Sequence, residues 1–131
     1  MRLQARLLLG ACMAAACATA FAADPQPPRW GAIASNYPAW GYAYDHPTRQ
    51  AAEREAQAQC ERSARRRGVL CEVRVTFDHA CGALAQGNYG EWGVATAPAA
   101  AEAARAAAKQ CDDHLPTEPC KVVVRACSPG G

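Results

Sequence analysis

WGYAYDHPTRQAAEREAQAQC (Trp40 to Cys60) and WGVATAPAAAEAARAAAKQC (Trp92 to Cys111) are two versions of one segment, related by a one-residue deletion. Each opens on Trp-Gly, alternates small and larger residues, and then enters an alanine-rich stretch that stops on cysteine. The match extends outward. Gly31-Ala32-Ile33-Ala34 corresponds to Gly82-Ala83-Leu84-Ala85, and Cys71-Glu72-Val73-Arg74-Val75 corresponds to Cys120-Lys121-Val122-Val123-Val124. Each copy reads as strand, Trp-Gly strand, helix, strand. Two copies are too few for a solenoid, which needs three or more units. The expectation is one α+β domain of two pseudo-symmetric β-β-α-β halves, 30–80 and 81–127. Its mainly antiparallel six-stranded sheet would carry both alanine-rich helices on one face and be stapled by disulfides.

The local signals agree with that order. Thr48 follows Pro47 as an N-cap, and Ala52, Ala56, Cys60 and Ala64 recur at i+4 as one small-residue stripe. Gly68, after Arg65-Arg66-Arg67, reads as a helix stop. In the second helix Pro98 suits the first turn, Glu102, Arg105 and Lys109 form a wet stripe, and Ala100, Ala104, Ala107 and Cys111 a dry one. From Cys71 to Phe77 polar Glu72, Arg74 and Thr76 alternate with Val73, Val75 and Phe77, the pattern of a sheet with one wet face. In the Trp-Gly strands Gly41, Ala43, Gly93 and Ala95 suit the face beneath a helix, leaving Trp40, Tyr42, Tyr44 and Trp92 opposite. The alternation alone is also compatible with the reverse.

The chain has 131 residues, enough for one domain, and its 50% hydrophobic content leans on alanine, so the core is thin. Residues 1–22 read as a signal peptide. Arg2 and Arg6 precede an apolar stretch from Leu7 to Ala20, and Ala20-Phe21-Ala22 supplies the small residues at a cleavage site. That stretch is shorter than the ~20 residues a stable membrane span requires. Leu9-Gly10-Ala11-Cys12 loosely fits a lipoprotein signal but has too short an apolar core before it. Residues 23–29 form a Pro-rich leader, 30–127 the domain and 128–131 a flexible tail. Periplasmic or secreted placement follows, with no transmembrane segment after cleavage. Removing Arg2 and Arg6 from the 14 basic residues balances the 12 acidic ones, which argues against a nucleic-acid or anionic-membrane partner.

Cleavage removes Cys12 and Cys17 and leaves six cysteines, for which 15 pairings exist. Cys60 and Cys71 flank one helix-to-strand connection, and Cys111 and Cys120 flank its counterpart. Symmetry requires that both local bridges form or neither does; the expectation is that both form, which leaves Cys81 to pair with Cys127. Links between copies, Cys60–Cys111 or Cys71–Cys120, are the competing scheme.

The Trp-Gly strand, the alanine-rich helix ending in cysteine, and the junction Ala80-Cys81-Gly82-Ala83-Leu84-Ala85 together resemble the secreted bacterial family of unknown function DUF4189, from about Trp30 to Cys127. The resemblance implies a small exported domain held by these cysteines. It implies no reaction.

The residues point to no catalytic constellation, metal site or cofactor. His46, His79 and His114 each follow an aspartate (Asp45, Asp78, Asp113), but at the ends of elements, where aspartate serves turns and caps. There is no C-x-x-C, and Ser35, Ser63 and Ser128 lie outside any G-x-S-x-G turn. Arg62, Arg65, Arg66 and Arg67 are a solvated helix end or an anion-binding patch. Among the aromatics Trp30, Tyr37, Trp40, Tyr42, Tyr44, Tyr89 and Trp92, the set Trp40, Tyr42, Tyr44 and Trp92 is the candidate partner-binding surface if exposed, and core if not. The function expected is a non-catalytic binding module of inhibitor, immunity or adhesion type, recognising a protein or a cell-envelope glycan. The alternative is a small secreted hydrolase with dispersed Asp, His and Glu residues.

Overall fold

The computed structural model describes residues 26–128; the signal peptide expected over residues 1–22 and residues 129–131 lie outside the described residues. The order is β1 (Trp30–Asn36), β2 (Ala39–His46), α1 (Arg49–Ser63), β3 (Glu72–Asp78), β4 (Cys81–Gln86), β5 (Trp92–Ala97), α2 (Ala100–Asp112) and β6 (Lys121–Cys127). It is an α+β fold of two β-β-α-β halves.

The six strands form two three-stranded antiparallel sheets, ordered β2-β1-β3 and β5-β4-β6, instead of one six-stranded sheet. Helix α1 touches only β1, β2 and β3, and α2 touches only β4, β5 and β6. Between the sheets lies a third cluster of Ile33, Phe77, Leu84, Val124 and Ala126, bordered by Trp40, Tyr42, Val75, Trp92 and Val94. The layers therefore run helix, sheet, sheet, helix. The helices occupy opposite outer faces, which corrects the expectation that they share one.

The physical reason is that neither sheet has a wet face. Ala32, Ala34, Ala39 and Ala43 pack under Ala52, Ala56 and Cys60 of α1, while Ile33 points the other way into the central cluster. Alternation here sorts residues by size, not polarity. Along β3 the pattern is broken by a bulge: Ile33 pairs with Val75 and Ala34 with Val73, leaving Arg74 extra. The bulge at Val123 of β6 is equivalent, since Leu84 pairs with Val124 and Ala85 with Val122. Each bulge turns the strand over. Accordingly Val122 borders the α2 cluster while Val124 is buried between the sheets. Phe77 fills the middle, its ring against both Gly31 and Gly82, which correspond in the two halves; a Cβ on either would overlap it.

Thr48 caps α1, its side chain accepting from the Ala51 N–H at 3.1 Å. Thr48→Ala should lower stability by about 1 kcal/mol, the usual worth of such a cap; an unchanged urea midpoint would show the cap to be idle. The helix stops at Ser63, short of Gly68, so Arg65–Arg67 belong to the following loop. The Ser63 hydroxyl bonds the Cys60 carbonyl (2.7 Å) and the Trp40 carbonyl (3.1 Å), drawing the last turn onto β2 in place of further helix. In the second half Ala99 is the N-cap residue, so Pro98 precedes the helix instead of standing in its first turn.

Cys60–Cys71 and Cys111–Cys120 join each helix end to the next strand with Cα atoms 6.1 Å apart, and Cys81–Cys127 faces across the β4–β6 ladder with Cα atoms 3.9 Å apart. Three disulfides indicate an oxidising, non-cytoplasmic compartment. Among the described residues no helix is long and apolar enough to cross a membrane. Ser128, grouped above with the tail, is buried, and its N–H donates to the Ala80 carbonyl at 2.9 Å.

Candidate functional site

The Trp-Gly motif explains two clefts. At Gly41 a Cβ would overlap the Cys60 nitrogen and the Ala56 carbonyl, and at Gly93 it would overlap the Cys111 nitrogen and the Ala107 carbonyl. Each glycine is thus the point where the helix backbone rests directly on its edge strand. That close approach brings a glutamine into reach of the strand's free edge. The Gln59 side-chain carbonyl accepts the Tyr42 N–H at 2.8 Å, and Gln110 accepts the Val94 N–H at 2.6 Å. With Ser63 near the Trp40 carbonyl, part of the outer edge of β2 is covered by its own helix. These glutamines were not singled out from the sequence, although Gln-Cys occupies the corresponding place in the last part of both helices.

Beside each of these edges lies a cleft walled by the tryptophan. The first, about 690 Å³, is bounded by Asn36, Tyr37 and Pro38 of the β1–β2 turn, by Trp40, by Gln59 and Ser63 of α1, and by Arg65 and Arg66 beyond it. The second, about 730 Å³, lies at the corresponding place and is bounded by Gly90, Glu91, Trp92, Val94, Gln110, Asp113, His114 and Arg74. The two β-turns meet between them, where Tyr37 lies against Gly90 and its hydroxyl donates to the Asn88 carbonyl at 3.4 Å.

The clefts differ in charge. In the second, the Arg74 guanidinium is already engaged. It stacks over the Trp92 ring at 4.3 Å, donates to the Ser35 hydroxyl at 3.0 Å and pairs with Glu72 at 2.6 Å. Its counterpart is Val123, which borders the same central cluster as Trp40. In the first, Arg65 and Arg66 are exposed, and among the described residues neither has a carboxylate within ion-pair distance.

The candidate aromatic surface is divided by this arrangement. Trp40 and Trp92, each half-buried, wall different clefts. Tyr42 is stacked between Trp40 and Tyr44, with ring centroids 6.4 and 6.3 Å apart, and borders the core. Tyr44 is 55% exposed and lines neither cleft. Tyr37, from the β1–β2 turn, joins Trp40 instead.

Residues 30–127 match the family model described as Domain of unknown function (DUF4189). The chain belongs to the DUF4189 family. No curated protein and no solved structure matches it.

In this DUF4189 domain the histidines do not converge. His79 has a left-handed backbone (φ 49°), which ends β3 and lets its Nδ1 meet Asp78 Oδ1 at 2.7 Å despite the two being chain neighbours. The same carboxylate oxygen accepts the Arg29 N–H at 2.7 Å, and the Arg29 guanidinium pairs with Asp45, also left-handed at φ 61°. Trp30 and Asp78 occupy the ladder position that Cys81 and Cys127 hold in the other half. A polar clasp thus secures this corner where its partner half has a covalent bond. Ser128 is beside Ala80, but its buried hydroxyl has no hydrogen-bond partner and so does not reach His79. Among the described residues no three His, Cys, Asp or Glu side chains gather as a metal site.

Proposed function

We propose that this DUF4189 domain is an exported, periplasmic or secreted, non-catalytic binding module that engages a cell-envelope component through the first cleft. The observation that carries this reading is the cleft itself. Trp40 and Tyr37 line it together with Arg65 and Arg66, which have no ion-pair partner among the described residues, and helix α1, which supplies Gln59 and Ser63, is fixed by the Cys60–Cys71 bridge. Its volume lies in the range of small-ligand sites, roughly 300–1,000 Å³. The polar atoms available there are amides, a hydroxyl and guanidiniums, which bind and orient. The hydrolase alternative draws support from the Asp78–His79 contact; among the described residues no hydroxyl or thiol is hydrogen-bonded to that histidine.

Co-sedimentation with isolated envelope fractions tests the reading. The wild-type domain should be retained, and Tyr37→Ala, altered at a residue 45% exposed, should be retained several-fold less. Equal retention of both would remove the first cleft from consideration. Turnover of model ester or glycoside substrates that His79→Ala abolishes would establish the hydrolase instead.

A further inference from the structure

Resting on that reading, we infer that the ligand of the first cleft is a short carboxylated saccharide, bound once per chain. Three properties of the cleft select this chemistry. Two of the outward main-chain groups of β2 are already bonded, the Tyr42 N–H to Gln59 and the Trp40 carbonyl to Ser63, so an extended peptide meets an interrupted ladder. A cavity of about 690 Å³ is too small for a docked helix and fits two or three sugar rings. The electron-rich faces of Trp40 and Tyr37 suit the positively polarised C–H faces of sugar rings, as they suit any positive edge. Asn36 Oδ1 and Gln59 Nε2, whose companion amide atoms are bonded to the Leu70 carbonyl and the Tyr42 N–H, remain for hydroxyls.

Arg65 and Arg66 then decide the charge. A guanidinium presents a planar fork that matches a carboxylate with two parallel hydrogen bonds. Both are exposed at the cleft rim and without an internal acidic partner among the described residues. The equivalent cleft serves as an internal comparison. It has its tryptophan, but its rim carries Glu91 and Asp113, the latter paired with Lys109 at 3.1 Å, and its one arginine is held by Trp92, Ser35 and Glu72. Among the described residues no free guanidinium is left there for a carboxylate, which gives one site per chain despite the pseudo-symmetry.

Calorimetric titration of the disulfide-intact domain with tetragalacturonate, cellotetraose and hexaglutamate tests this. Tetragalacturonate should bind with a stoichiometry of one and weaken as salt rises. Cellotetraose should bind at least tenfold more weakly. Arg65→Ala and Arg66→Ala, both at exposed loop positions, should each weaken tetragalacturonate binding by about five- to tenfold. His114→Ala, in the other cleft, should leave it unchanged. Equal affinity for the neutral sugar, equal or better binding of hexaglutamate, a stoichiometry of two, or no binding at all would each overturn the inference. Envelope retention that Tyr37→Ala abolishes, alongside no binding of tetragalacturonate, would leave the binding module standing and refute only its anionic-sugar ligand.

Discussion

Reduction of the three disulfides should unfold the domain at room temperature in the absence of denaturant. On the chain-entropy model the Cys60–Cys71 and Cys111–Cys120 bridges, with sequence separations of 11 and 9, stabilise by about 3 kcal/mol each. Cys81–Cys127, with a separation of 46, contributes about 4 kcal/mol. Because the Cys111–Cys120 loop lies inside the longer one, about 10 kcal/mol is an upper bound for the three together. That bound is comparable with the whole stability of a typical domain, about 5–15 kcal/mol. Little else compensates. Alanine dominates both helix–sheet interfaces, and the large buried side chains of the central cluster are Phe77, Ile33 and Leu84. Far-UV circular dichroism before and after reductant reads the result, with Cys81→Ser/Cys127→Ser expected to cost more than Cys111→Ser/Cys120→Ser. A reduced protein that keeps a cooperative thermal transition above 40 °C would show that the thin core suffices.

Gly41→Ala and Gly93→Ala should each destabilise by about 3 kcal/mol or more, the upper part of the overpacking range. One methyl group is enough because what it meets is main chain. At Gly41 the obstacles are the Cys60 nitrogen and the Ala56 carbonyl, and at Gly93 the Cys111 nitrogen and the Ala107 carbonyl. A side chain could rotate away, whereas a helix backbone pinned by a disulfide has to lift as a unit. Lifting it also breaks the Gln59–Tyr42 or Gln110–Val94 hydrogen bond and reopens the strand edge. Gly68→Ala provides the contrast. Nothing lies within 4 Å of its Cβ position, and its φ of +77° is the sole obstacle, worth about 1–2 kcal/mol. Urea unfolding followed by tryptophan fluorescence separates the two cases. If Gly41→Ala cost no more than Gly68→Ala, the helix would not rest on the strand as described.

Much of the first cleft was out of reach of sequence reasoning because its walls come from separate elements. Trp40 stood out through the repeat. Tyr37 and Arg65 are ordinary turn and loop residues until the β1–β2 turn and the end of α1 are folded against each other. Tyr42 and Tyr44, grouped with Trp40 by alternation, share its side of the strand but not its cleft. The early end of α1 was equally hidden, since the Ser63–Trp40 contact that draws its last turn onto β2 spans 23 residues.

What the chain's own order determines is whatever operates over short spans. The Thr48 cap, the i+4 alanine stripe and the two connections from helix-end cysteine to strand are interactions of neighbours, so the β-β-α-β order of each half and its belonging to an α+β fold are written locally. Only the tertiary structure decided that there are two sheets and that the helices face away from each other. The centre of β1, Gly31-Ala32-Ile33-Ala34-Ser35, is buried throughout, so its alternation carries size without polarity. A small face and a larger face are both dry, and nothing local says whether the larger one meets a helix or another sheet. The choice falls to packing across the halves. Ile33 and Leu84 are too large to let an alanine helix lie close, and with Phe77 between them they fill the space between two sheets.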